Sequence, residues 1–240
     1  MNIRGVLDDS GWMVCKILAG SDAISQQYYM AGGTALALQL GHRKSYDLDF
    51  FQTKTDERIH YEKIYRELVG LFSQKYVRVE LKQVDQATVS IHGVKVTFLA
   101  YPFPLVEPLV SGHTIAPELA GIKLASPREI ALMKAYTIGR RPSYRDYIDL
   151  YFLLKSGKAT IEYILEKAPG KFVIENETVF SKKLFLEQLG YTGDISDKEA
   201  ALTTVLGAKL TSQELERYLG QQIREAMRVL LRTRKRGMRL

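Results

Sequence analysis

Residues Tyr29 to Phe51 read YMAGGTALALQLGHRKSYDLDFF, and this stretch decides the fold. Tyr28 to Ala31 is a short aromatic and apolar run ending at a glycine pair, which predicts a strand running into a turn. Thr34 to Leu40 is rich in alanine and leucine and predicts a helix starting just after the glycines. In Asp47 to Phe51 the residues Leu48, Phe50 and Phe51 are apolar, while Asp47 and Asp49 share the other face of a strand. Gly32 and Gly33 let the backbone approach a ligand closely and adopt positive φ. The helix after them points its first amides at whatever sits over the turn, which favours phosphate. Thr34 adds a hydroxyl donor. Aspartates at i and i+2 of a strand repel one another without a cation and suit Mg²⁺ shared with substrate phosphates. Gly-Gly-Thr alone is a plain turn, and Asp-x-Asp alone is a solvated edge. Their combination at this spacing points to a site for metal and phosphate.

Working outward, Gly11 to Tyr28 reads as a helix broken near Gly20, and Glu57 to Ser73 as an amphipathic helix. Three strand-like runs follow, Tyr76 to Val84, Ala87 to Ile91 and Val94 to Ala100, with His92-Gly93 as the turn between the last two. Tyr101 to Pro108 carries three prolines and leaves the sheet. Ser126-Pro127-Arg128-Glu129 is a helix start, with Ser126 as N-cap, Pro127 at the first position and an acid in the first turn. That helix runs to about Ile138, and others are expected over Ser143 to Lys155, Glu162 to Lys167, Phe180 to Leu189 and Ser212 to Arg234. Lys171 to Ile174 carries a strand signal within this helical half. The fold class expected is α+β: a mixed sheet with flanking helices over residues 1–115, then a helical bundle over residues 116–240.

The chain has 240 residues, of which 46% are hydrophobic and 25% charged, so disordered and fibrous classes are excluded. Cys15 is the one cysteine, which excludes an internal disulfide and a zinc site built on several cysteines. No apolar run approaches the roughly 20 residues that span a bilayer, and the first residues lack a signal-peptide core. A cytoplasmic protein with no membrane partner is the expectation. The net charge of +7 favours anionic partners. From Arg224 to Leu240 there are seven basic residues and one acid, Glu225. This segment reads as a solvated helix end, as a phosphate-binding arm for tRNA or other RNA, or as a surface for an acidic protein.

The turn, the spacer and the paired aspartates resemble the nucleotidyltransferase signature of the DNA polymerase beta superfamily. Here Gly32-Gly33-Thr34 is followed by twelve residues and then Asp47-Leu48-Asp49. With LMKAYTIGRRPSYRDYIDLYFLL at residues 132–154, the chain resembles more closely the AbiEii/AbiGii toxins of type IV toxin–antitoxin and abortive-infection systems. The resemblance covers about residues 25 to 155. It implies a nucleotidyltransferase domain over 1–115 and a helical domain over 116–240 that completes the active site. It further implies that Gly32, Gly33 and Thr34 hold the triphosphate of an NTP, and that Asp47 and Asp49 bind Mg²⁺ and align the α-phosphate. Lys134 would neutralise triphosphate charge, and Asp146 would act as general base or orient the acceptor hydroxyl. Arg43, just ahead of the aspartates, would reach a terminal phosphate.

Plain alternatives stand beside these roles. Lys134 suits a solvated helix face, and Asp146 suits the dipole of its helix. Asp149 is spaced to hold Arg145, and His42 to cap the preceding helix. Superfamily members usually carry a third carboxylate on a later strand; the position here holds Thr97, and no acid occurs between Val94 and Tyr101.

The leading expectation is an Mg²⁺-dependent toxin that moves an NMP from an NTP to an acceptor hydroxyl, the tRNA 3′ end being favoured. A cognate antitoxin is implied without a need for direct contact. The alternatives are a non-catalytic nucleotide-binding module, kept alive by Thr97, and an antibiotic-modifying nucleotidyltransferase, which the +7 charge disfavours.

Overall fold

The computed structural model describes residues 3–55, 58–207 and 209–237, and of residues 230–237 the backbone alone. Two compact units divide the chain, Met1–Ile130 and Ala131–Leu240.

In the first unit, Asp8 caps α1 (Asp9–Ala19) by accepting from the Gly11 amide at 2.7 Å. The helix stops at Gly20, and Ser21 caps a new one, α2 (Asp22–Gln27). The expected break is therefore a junction of two capped helices. β1 (Tyr28–Ala31) leads directly into α3 (Gly32–Leu40), which ends at Gly41 in the left-handed region. β2 (Asp47–Gln52) follows. α4 (Tyr61–Phe72) starts later than the expected Glu57, a residue outside the described ones, and buries Ile64, Leu68 and Phe72. β3 (Val77–Lys82), β4 (Gln86–Ile91) and β5 (Val94–Leu99) form a meander. Its tight turn puts both His92 and Gly93 at positive φ, as a two-residue hairpin requires. β6 (Val110–Ser111) and β7 (Lys123–Leu124) were not expected.

These strands form one mixed sheet of order β3-β4-β5-β2-β1-β7-β6. β1 runs antiparallel to β2, β2 parallel to β5, and β7 parallel to β1 through Met30 and Leu124. On one face Met30, Leu48, Phe50, Val96 and Phe98 are fully buried, and the Phe50 and Phe98 rings stack at 5.5 Å. Burial of each large apolar side chain contributes about 1.5–3 kcal/mol. That anchors β2 at mid-sheet and fixes its register. The residues between, Asp47 and Asp49, are thereby held on the opposite face.

α5 (Pro127–Thr137) starts after Ser126, whose hydroxyl accepts from the Glu129 amide, and the boundary between the units falls within it. The second unit continues with α6 (Tyr144–Lys155) and α7 (Ile161–Lys171), which is capped by Thr160 and continues past Pro169. The strand signal at Lys171 to Ile174 resolves as a hairpin of β8 (Val173–Ile174) and β9 (Glu177–Thr178). α8 (Lys182–Leu189), α9 (Lys198–Leu202) and α10 (Ser212–Gly237) complete it. Its core takes Ile148, Leu150 and Leu153 from α6, Ile164 and Leu165 from α7, and Leu215 and Leu219 from α10. The fold class is α+β, as expected. Among the described residues no helix is long and apolar enough to cross a membrane.

Candidate functional site

The β1–α3 turn and β2 are brought together by their antiparallel pairing, which sets Ala31 opposite Asp49. Gly32 has φ 71°, a conformation that costs an L side chain free energy and glycine little. A β-carbon at Gly32 would meet Asp49 Oδ2 at 2.8 Å, inside normal contact. The missing side chain therefore opens the space in front of the carboxylate. The N-cap of α3 is Ala31, whose side chain offers no acceptor to the first amides, and a helix start of this kind can receive an anion.

Asp47 and Asp49 alternate with buried Leu48 and Phe50, and both are half-buried on one face of β2. Tyr29 and Phe51, stacked at 5.9 Å, wall the same face. The donor set fits a divalent cation: two carboxylates on one face, with Asp49 against the Gly32 cradle. Among the described residues no group of three or more His, Cys, Asp or Glu is placed to hold a metal. The remaining ligands would be waters and substrate phosphates, which is how Mg²⁺ is commonly held.

Thr34 and Arg43 are both buried and hydrogen-bonded within the first unit. The buried Thr34 hydroxyl donates to the Asp47 carbonyl and lies 2.7 Å from the Ser45 hydroxyl. It ties α3 to the start of β2 instead of facing a ligand. Arg43 is buried too, and its guanidinium donates to the Lys44 carbonyl at 2.9 Å. That bond ties it to the loop leading into Asp47.

Lys134 and Asp146 lie in the second unit and bond one another. Lys134 Nζ is 2.6 Å from Asp146 Oδ1 and 2.5 Å from Asp149 Oδ2, with all three side chains buried. Asp149 thus holds Lys134 across two helices, where spacing had offered Arg145. Asp146 also takes a two-point hydrogen bond from Arg141, Nε to Oδ2 and Nη2 to Oδ1, both at 2.8 Å. Burial alone would raise the Asp146 pKa; the charges and hydrogen bonds of Lys134 and Arg141 outweigh it and hold the carboxyl below its ordinary range. A carboxylate so stabilised is a weak base, and its lone pairs are occupied. Arg141 was missed by sequence reasoning, although the Arg141-x₄-Asp146 spacing was a usable signal. Its side chain is 58% exposed, unlike the carboxylate that orients it.

The remaining candidates are inert or lie elsewhere. Burial pushes the Cys15 thiol up to about 12, which leaves no thiolate nucleophile at neutral pH. The basic segment from Arg224 is helical to Gly237; its side chains from 230 onward and residues 238–240 lie outside the described residues.

The model of the family described as nucleotidyl transferase AbiEii toxin, type IV TA system, matches residues 16–233. An uncharacterized protein of Aquifex aeolicus (strain VF5) is 35% identical over 132 residues, 55% of this chain, and the match spans only 60% of that relative's length. JHP933 from Helicobacter pylori has a similar structure, with TM-score 0.52 and 16% identity over 95% of this chain and 94% of that one. So has MenT4, a nucleotidyltransferase toxin from Mycobacterium tuberculosis H37Rv, with TM-score 0.55 and 14% identity over 88% of this chain and 81% of that one. At such identities these likenesses speak to the fold.

Proposed function

Because the chain belongs to the AbiEii family of nucleotidyl transferase toxins of type IV toxin–antitoxin systems, we propose that it transfers an NMP from an NTP to an acceptor hydroxyl and releases pyrophosphate. The observation that carries this reading is the Gly32–Asp49 contact, which puts a phosphate-receptive helix start against a pair of carboxylates.

Each residue then has a distinct role. Asp47 and Asp49 would hold a divalent cation, which we take to be Mg²⁺. Bound there, it supplies charge stabilisation to the phosphoryl group in flight. The backbone at Gly32 and Gly33 receives phosphate oxygens, because no side chain occupies that space. Thr34 keeps α3 and Asp47 in fixed relation through its hydrogen bond to the Asp47 carbonyl. Asp146 acts as a positioning residue that fixes the guanidinium of Arg141, while Lys134 balances its charge. The depressed pKa supports positioning over general base. Arg141 is then the cation of this cluster that reaches solvent, whereas Lys134 is buried.

The favoured acceptor is the 3′ end of tRNA, supported by the basic run from Arg224 to Leu240. Modification there would block translation and account for a toxin. NTP and tRNA as substrates place the reaction in the cytoplasm. A cognate antitoxin follows from the family, with no direct contact required.

The test is a transfer assay with Mg²⁺, each of the four α-³²P-labelled NTPs in turn and total tRNA. Label on tRNA that is lost with Asp47→Ala is expected. Label on protein instead would move the acceptor. No label anywhere, with NTP still bound, would replace transfer by nucleotide binding alone.

A further inference from the structure

The strand order gives the two aspartates two unlike sides. β1, which feeds the Gly32 turn and α3, lies on one side of β2, and β5 lies on the other. Under the reading above, on which this inference rests, the triphosphate occupies the β1 side. The β5 side is left for the acceptor.

The residues β5 places there are defined by register. In the parallel ladder Asp47 stands opposite Lys95, and Asp49 opposite Thr97. Partners across a ladder share a face, so Lys95 and Thr97 extend the row of carboxylates sideways. Thr97 is buried and accepts from the Thr88 hydroxyl of β4 at 3.4 Å. It offers no charge where a third carboxylate would complete a second metal position. Asp146 does not substitute, because its oxygens are taken by Lys134 and Arg141. Lys95 is exposed. Neighbouring strands lie about 4.8 Å apart, and an ammonium on a flexible four-carbon stem spans that distance.

The charges make the same point. Two carboxylates balance one divalent cation and leave the triphosphate and the acceptor oxygen to be compensated. On the α3 side helix amides contribute. On the β5 side the cation that stands next to Asp47 in the row is Lys95, with Arg78 two strands further out. We propose that this site takes a single divalent cation, and that Lys95 supplies on the acceptor side the positive charge a second cation would otherwise supply. In the transfer the acceptor oxygen bonds to the α-phosphorus, the bond from that phosphorus to the bridging oxygen of pyrophosphate breaks, and the hydroxyl proton passes to water. Lys95 donates a hydrogen bond to the acceptor oxygen as its charge develops.

The experiment uses the full chain with Mn²⁺ and a non-hydrolysable α,β-methylene NTP. Bound Mn²⁺ is counted by electron paramagnetic resonance. One Mn²⁺ per chain is expected, both in the wild type and in Lys95→Met; two in the wild type would overturn the proposal. In the transfer assay Lys95→Met should lower kcat about 100-fold with KM for the NTP unchanged, and Lys95→Arg should recover most of the rate. A Lys95→Met variant as fast as the wild type would also overturn it. Failure of the underlying reading has a different signature: a wild type that binds no Mn²⁺, or transfers nothing to any acceptor, removes the nucleotidyltransferase assignment and Lys95's role with it.

Discussion

Gly32 and Asp49 are fitted to each other: the β-carbon that glycine lacks would stand 2.8 Å from Asp49 Oδ2. The backbone at Gly32 is left-handed as well, so any substitution there meets both strain and a carboxylate. Gly32→Ala should therefore abolish NTP-dependent transfer while circular dichroism stays that of the wild type. Retained activity would show that nothing needs to enter the space in front of Asp49.

Asp47 and Asp49 place like charges side by side on one strand face. Asp49→Asn should leave thermal stability in metal-free buffer unchanged or slightly higher, since a repulsion is relieved. The wild type should gain several degrees in Tm with saturating Mg²⁺ or Mn²⁺ and Asp49→Asn should gain none, because only binding to the folded state stabilises it. A thermal-shift titration checks both. Equal metal-induced shifts in the two proteins would move the cation elsewhere.

Thr34 ties α3 to the carbonyl of Asp47 from a buried position. Thr34→Val keeps the shape but leaves that carbonyl without the donor, at a cost of about 1–3 kcal/mol. Urea unfolding should report this loss. Transfer should slow as well, since Asp47 is no longer fixed to the helix that receives phosphate. Thr34→Ser should restore both.

The Asp146 carboxyl titrates below its ordinary range in the folded chain, so the unfolded state binds its proton more readily. It therefore contributes stability in full above the ordinary aspartate pKa near 4, and that contribution is lost as pH falls through the lower folded value. Asp146→Asn should be less stable than the wild type at pH 7, with the gap narrowing below pH about 4. Chemical denaturation across that range measures it; a gap independent of pH would mean the carboxylate charge is not what stabilises the cluster.

Much of the first unit was legible because its signals are local. The alternation in Asp47 to Phe51, the glycine pair and the His92-Gly93 turn each set backbone geometry within a few residues. β7 was not legible: two residues carry no period, and Lys123–Leu124 is a strand only through its pairing with Met30 on one side and Val110–Ser111 on the other, all remote in sequence. α7 was expected to stop before Pro169, yet the helix runs on to Lys171, close enough to its end that few hydrogen bonds are forfeited. At the site, which carboxylates share a face could be read from strand periodicity. The partners of Lys134 could not. Its two aspartates lie on α6, and helical spacing along one helix says nothing of which side chains meet between two. The same limit hid the Thr34 hydrogen bond, which turned a supposed phosphate donor into a brace.

The buried charges of Lys134, Asp146 and Asp149, with Arg141 at the rim, sum to zero and are bonded to one another. Removing one partner of a buried pair typically costs about 3–5 kcal/mol, a large part of the 5–15 kcal/mol that holds an ordinary domain together. The three buried positions are therefore closed to single-step variation. A lineage that replaced Lys134 by an uncharged residue would have to change an aspartate in the same episode or lose the folded helical half. The buried trio should be inherited as a block, while the surface around it drifts.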